Sequence, residues 1–285
     1  MNADHFFTIG KPHLTQGVPC EDFALSGLLH PALAFGVVAD GCSGAHANTD
    51  VGARALAYAF RSTLEARQDA GGDWFDAAFT ADLQSRFAAN QYTGSAADYL
   101  ATIASIAATP ARAAAYVFGD GALAIRYRDG RRTLIEFEWW ENTPFYLQYR
   151  LATAQLDQFL APYRDGVIEP LLLRTTTFQE KDGVLELLEE STSRMTADAA
   201  FDGCIVSLNP RDEGIEALAV LSDGISRLQS IPAREAVREF LAFKNHEGSF
   251  VKRRMLKALA KFAQQGAVPQ DDLAMACIWF DGETT

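Results

Sequence analysis

Three apolar runs in this chain end in the same way. AFGVVADG stops at Asp40-Gly41, AAYVFGDG at Asp120-Gly121 and LAVLSDG at Asp223-Gly224. Each run is short and continuous in its apolar residues, the pattern of a strand buried on both faces. Such strands need a covering layer on each side, so a chain with several of them folds as stacked layers around a sheet core. One Asp-Gly after a strand is an ordinary turn, the Asp bonding its own backbone. Recurrence asks for a common cause, because further acidic pairs flank strands too: Asp271-Asp272 directly precede LAMACIWF, and Glu21-Asp22 sit just ahead of the first buried strand.

The order of elements gives the layers. Leu33 to Ala39 reads as a strand, followed by a glycine-rich loop and a helix whose apolar spacing begins at Val51, with Thr49 or Asp50 as its cap. A second helix is expected over about Phe75 to Ala89. From Asp98 to Phe137 the period changes, and ATIASIAAT, AAAYVFGDG, ALAIRYRDG and RRTLIEFEW read as consecutive antiparallel strands, with a Pro110 turn and an Asp129-Gly130 hairpin between them. The stretch from Trp139 to about Ala200 carries no chemical motif. CIVSLN and IEALAVLSD resume the strand pattern around a polar turn at Pro210 to Gly214. Helices are expected from Ser230–Pro232 to about Phe243 and from Phe250 to Gln265, the latter closed by Gly266, and LAMACIWF is a last buried strand. Grouped strands with helices between the groups indicate an α+β layered fold, and the absence of a linker or repeat indicates one domain over residues 1–285.

Charge and composition narrow the function. A net charge of -12 is opposite to what phosphate-backbone recognition requires, so no nucleic-acid partner is expected. Four cysteines without CxxC spacing suggest neither zinc nor a disulfide framework. MNADHFFTIGKPH has no signal-peptide character, and no window reaches the ~18 apolar residues of a span. A soluble cytoplasmic protein without membrane association is expected; the oligomeric state is left open.

If the acid-tipped strands are sheet neighbours, Asp40, Asp120, Asp223 and Asp271 meet in one cleft and repel one another. Protons, basic partners or metal ions could neutralise them. Arg227 is the only base close after Asp223, and none accompanies Asp40 or Asp271, which favours metal. An oxygen-only set suits hard cations such as Mg²⁺ or Mn²⁺. Gly41 lets the backbone approach closely enough for its carbonyl to join as a ligand. Two such ions bridging a water would generate hydroxide for in-line attack on phosphorus.

CEDF, VVADGCSG followed by a helix, YVFGDG, LAVLSDG and DDLAMACI occur in this order from about Gly10 to Phe280. In that order and spacing they resemble the metal-dependent Ser/Thr protein phosphatases of type 2C, the PPM family, and GKPHLTQGVPCEDF is similar to the opening motif of bacterial members. The resemblance implies a four-layer αββα sandwich of two antiparallel sheets with a dinuclear site at one edge. It implies that Asp40 bridges both metals, that Gly41 supplies a carbonyl, that Asp223 and Asp271 bind the second metal, and that Asp120 holds a third, weaker one. Glu21 and Asp22 would hold metal-bound waters. The implied activity is hydrolysis of phosphoserine and phosphothreonine on phosphoproteins in signal transduction, with Mn²⁺ or Mg²⁺ as cofactor.

Two positions depart from the family pattern. Where eukaryotic members have Asp-Gly-His-Gly-Gly, this chain has Asp40-Gly41-Cys42-Ser43-Gly44, so the general acid is His46 or a water. No Arg precedes Glu21-Asp22, and Lys11 and His13 are the groups available for phosphate. A catalytically weak or inactive signalling module that binds phosphoproteins is the rival reading, and a hydrolase of small phosphoesters shares the same site. Trp139-Trp140 is expected to put one ring in the core and one at the rim. The basic run Lys252-Arg253-Arg254, with Lys257 and Lys261, is expected to be a solvated face paired with acids, and Cys42 a small buried residue.

Overall fold

The computed structural model describes residues 1–30, 32–43, 48–69, 73–92, 94–196 and 200–281. Its first half runs β1 (Asn2–Thr8), α1 (Lys11–Gln16), β2 (Asp22–His30), β3 (Leu33–Gly41), α2 (Thr49–Glu65), α3 (Phe79–Ala89), β4 (Ala101–Ala108), β5 (Ala113–Phe118), β6 (Gly121–Tyr127) and β7 (Arg132–Trp139). The second half adds α4 (Thr153–Leu160), β8 (Leu171–Lys181), β9 (Val184–Met195), β10 (Cys204–Leu208), β11 (Ile215–Leu221), α5 (Ala233–Phe240), α6 (Phe250–Gln264) and β12 (Leu273–Trp279).

The strands form two antiparallel sheets, one of seven in the order β1-β12-β11-β6-β7-β8-β9 and one of five in the order β10-β5-β4-β3-β2. Strand alternation decides which core each residue enters. In β12, Ala274, Ala276 and Ile278 join the apolar core shared by the two sheets, while Leu273, Met275 and Cys277 join the core beneath α5 and α6 with Val237, Phe240, Met255 and Phe262. Helices α2 and α3 cover the other sheet through Leu56, Phe60, Phe79 and Leu83. This is the expected α+β sandwich, and it explains why the acid-tipped strands show continuous apolar runs: both of their faces are covered.

Several boundaries differ from expectation. The second helix starts at Phe79, not Phe75, because Trp74 and Phe75 turn inward as buried residues, Phe75 packing on Phe79 and Tyr116. The helix expected up to Phe243 stops at Phe240. The expected consecutive antiparallel strands β5 and β6 belong to different sheets, and so do β10 and β11, so Asp120 and the Pro210 turn lie on crossings between layers. The strand-like piece LLLRTTTF is the body of β8, whereas β1 and β9, the latter mostly exposed, have no counterpart in the sequence reading. Trp139 is 5% exposed and Trp140 44%, the expected division. On the basic helix, Arg254 and Lys261 both pair with Glu239, at 2.6 and 2.7 Å. Among the described residues no helix is long and apolar enough to cross a membrane.

Candidate functional site

Sheet register brings the acids together. Asp22, opening β2, lies opposite Asp40 near the end of β3, and Asp40 lies opposite Thr102 on β4. β5 ends at Phe118, and Gly119-Asp120 carry the chain across to β6 in the other sheet. β11 delivers Ser222-Asp223, and Asp271-Asp272 lead into its neighbour β12. All these ends reach one edge of the sandwich, where Asp40, Asp120, Asp223, Asp271, Cys42 and Tyr146 line a cavity of about 310 Å³. A second cavity of about 340 Å³ shares Asp120, Asn142 and Asp223 and continues to Glu136, Ser226 and Arg227.

Buried polar contacts fix the acid-bearing segments. Ser222 Oγ donates to Asp22 Oδ2 at 2.6 Å and accepts from the Ala274 N–H at 2.9 Å, tying together β2, β11 and β12. Asp272, 2% exposed, accepts from the Gly10 N–H on one oxygen and from the Glu21 N–H on the other, both at 2.6 Å, with His13 Nδ1 at 3.0 Å. Two glycines permit this. A Cβ on Gly10 would stand 2.5 Å from the Asp271 carbonyl carbon, and one on Gly224 would overlap the Asp272 carbonyl oxygen. The Asp271–Asp272 backbone is thus gripped between two chain segments that only glycine allows so close. The Asp120 crossing is braced from the far side: Trp139 Nε1 donates to the Gly119 carbonyl at 2.8 Å, and Trp139 itself packs on Phe145, Phe159 and Phe201. The stretch that was unreadable as chemistry therefore supplies the aromatic wall behind an acid.

Crowding and burial act on the carboxyls in the same direction. Burial, then the charges of Asp22, Asp223, Asp120 and Asp271, hold Asp40 well above the usual carboxylate range. Asp22 is raised by burial and by Asp272 and Asp223, against the Ser222 hydrogen bond, which favours its charged form. Asp120 is pushed up to about 7 by burial and Asp223, and Asp271 to about 6 by the same two causes. Burial would lower His13, but the hydrogen bond and charge of Asp272, with Glu21 and Asp271, outweigh it and raise the imidazole.

This oxygen-rich, mutually repelling set suits a hard divalent cation, which would relieve the repulsion that now raises the carboxyls. Among the described residues no three Asp, Glu, His or Cys side chains are already closed on a common point. The carboxylates are gathered, and a cation would have to draw them in.

The predicted site residues fall into three groups. Asp40, Gly41, Asp120, Asp223 and Asp271 line one cavity, with Asp22 and Glu21 buried behind them. Lys11 and His13 line neither cavity: Lys11 is exposed on α1, and His13 is turned into the pair formed by Asp272 and Glu21 at 3.0 and 3.5 Å. His46 and Gly44 lie outside the described residues. Cys42 is half-buried on the cavity wall beside Tyr146 rather than in the core. Sequence reasoning missed the anchoring role of Asp272 and the contributions of Ser222, Thr102, Tyr146 and Asn142. Of these only Asp272 left a trace, as the second acid of a pair.

The family description "Protein phosphatase 2C" matches residues 9–264 of the chain. Among solved structures, a bacterial serine phosphatase is similar at 14% identity and TM-score 0.55, covering 100% of both chains. The serine/threonine phosphatase Stp1 from Staphylococcus aureus is similar at 16% identity and TM-score 0.53, covering 99% of this chain and 96% of that one. No curated protein matches the chain by sequence. At such identities the structural likeness speaks for the fold, and the family match over most of the chain supplies the rest: the chain belongs to the protein phosphatase 2C family.

Proposed function

We propose that this chain is a metal-dependent phosphatase that removes phosphate from phosphoserine and phosphothreonine on proteins, in opposition to a kinase in signal transduction. One observation supports this above the others. Asp40, Asp120, Asp223 and Asp271, each from a different strand end, line one cavity, where burial and mutual repulsion raise Asp40, Asp120 and Asp271.

Asp40 stands at the centre of the acids and is the group fitted to contact two cations, with the Gly41 carbonyl beside it; Asp223 and Asp271 would hold the second ion and Asp120 a third. Two Mn²⁺ or Mg²⁺ ions held there would supply Lewis acidity and a water of lowered pKa suited to attack on phosphorus. Asp22, held by Ser222, and Glu21, on the segment held by Asp272, border this region and would orient water. Burial, with Cys42 close by, pushes the Tyr146 phenol further up, and its ring lines the cavity beside Cys42. No cysteine or serine nucleophile is required.

The test is phosphate release from p-nitrophenyl phosphate and a phosphothreonine peptide with Mn²⁺, Mg²⁺ or EDTA, using the wild type, Asp40→Asn and Asp223→Asn. Metal-dependent turnover lost in both variants is the expected result. Folded, Mn²⁺-saturated wild type that releases no phosphate from either substrate would overturn the enzyme reading in favour of a phosphoprotein-binding module.

A further inference from the structure

One basic side chain stands among the acids of the described site. Arg227 lies four residues after Asp223, and its guanidinium Nη2 stands 3.6 Å from Asp223 Oδ2 and donates to Asn142 Oδ1 at 3.0 Å. Among the described residues it is the only Lys or Arg lining the two joined cavities. Its side chain is 45% exposed, and it lines the second cavity together with Asp223 and Asn142. The neighbouring structure is costly to hold. Glu141 and Asn142 both have positive φ, 53° and 54°, a conformation that non-glycine residues adopt at a penalty. That backbone sets the Asn142 amide oxygen where it fixes the guanidinium beside Asp120 and Asp223.

We propose that Arg227, oriented by Asn142, is the group that binds the substrate's phosphoryl oxygens, doing what Lys11 and His13 are not placed to do. This deepens the phosphatase reading and rests on it. A planar guanidinium can give two parallel hydrogen bonds to a phosphoryl group, and it keeps its charge at any working pH. Asp223 and Arg227 both line the second cavity, with the guanidinium 3.6 Å from the Asp223 carboxylate. A dianion entering this cavity meets, among the described lining residues, Arg227 as the cationic group beside Asp120, Glu136, Glu138 and Asp223. Asn142 touches no reacting atom in this scheme and is a positioning residue.

The rival role for Arg227 is only to offset the charge of Asp223. The two roles separate in the variants Arg227→Gln, Arg227→Lys and Asn142→Gly, the last of which relieves the positive φ while removing the amide. Three quantities are measured in each: Mn²⁺ binding by calorimetry, binding of inorganic phosphate to the Mn²⁺-loaded protein, and kcat and KM on a phosphothreonine peptide. Loss of a charge-assisted phosphate contact predicts phosphate binding weakened and KM raised roughly 10- to 100-fold in Arg227→Gln. Arg227→Lys should recover part of the loss and Asn142→Gly should show a smaller one. Mn²⁺ binding should be unchanged or tighter, since a competing cation has gone. Phosphate binding equal to wild type in Arg227→Gln overturns the inference whether or not the wild type turns over. Wild type without turnover, but with Arg227-dependent phosphate binding, overturns the hydrolase reading alone. A change confined to Mn²⁺ binding assigns Arg227 the charge-offsetting role and overturns the proposal.

Discussion

Asp271 and Asp272 are adjacent and chemically identical, and the structure gives their amide substitutions opposite consequences. Asp272 is 2% exposed and each of its oxygens accepts a backbone N–H, from Gly10 and Glu21, at 2.6 Å. Asparagine keeps one acceptor and turns an NH₂ toward the other N–H. Asp272→Asn therefore loses one hydrogen bond to a charged acceptor, about 1.5–3 kcal/mol, and leaves a buried donor facing a donor, about 1–3 kcal/mol more. The His13 pairing at 3.0 Å is weakened as well. A total of about 2.5–6 kcal/mol is a large part of the ~5–15 kcal/mol that holds a typical protein folded. Asp271 instead faces the cavity, and burial and Asp223 raise it to about 6. Its one hydrogen bond, accepting from the Asp272 N–H at 2.9 Å, is equally available to an amide oxygen. In EDTA at pH 7.5, Asp271→Asn removes a repelled charge at no cost in hydrogen bonds, so stability should be unchanged or higher. Urea unfolding in EDTA followed by circular dichroism, together with Mn²⁺ calorimetry, separates the two. Asp272→Asn should lose several kcal/mol and on the order of 10 °C in Tm, while Asp271→Asn should keep its stability and lose Mn²⁺ affinity. Asp272→Asn within about 0.5 kcal/mol of wild type, or an equal loss in Asp271→Asn, would refute the reasoning.

Gly224→Ala places a methyl on the Asp272 carbonyl oxygen; it should cost about 1–3 kcal/mol or more by forcing two backbones apart, and weaken Mn²⁺ binding with it. An unchanged Tm would show that the close approach is not required. The pH dependence in EDTA should run downward. Asp120 and Asp271 hold their protons to about 7 and about 6 when folded, against 3.8 for the ordinary side chain. The folded chain therefore binds more protons than the unfolded chain between those values, and their contribution to stability falls as pH rises through the window. The difference in Tm between wild type and Asp120→Asn, measured from pH 4 to pH 7.5, should grow in favour of the variant; a difference independent of pH would contradict the assignment.

The sequence alone determined the layered α+β fold and the Asp-tipped strands, because burial on both faces writes a continuous apolar run and its termination is local. It also marked the acids of the site, since each ends or begins such a run. Which strands share a sheet is a matter of contacts distant in sequence, and here local reading failed: β5 and β6 follow one another as strands of one apparent antiparallel series and lie in different layers. The same holds for Asp272, whose role depends on Gly10 and Glu21, more than 250 residues away. Gly10 and Gly224 look like turn residues, yet both serve as clearance for the Asp271–Asp272 backbone. Lys11 and His13 were the only bases near the expected position in sequence, whereas tertiary packing turns His13 into Asp272 and brings Arg227 to the cavity rim. Local sequence set what each strand end carries. Only the meeting of those ends decided which charges face the cavity and which are sealed behind it.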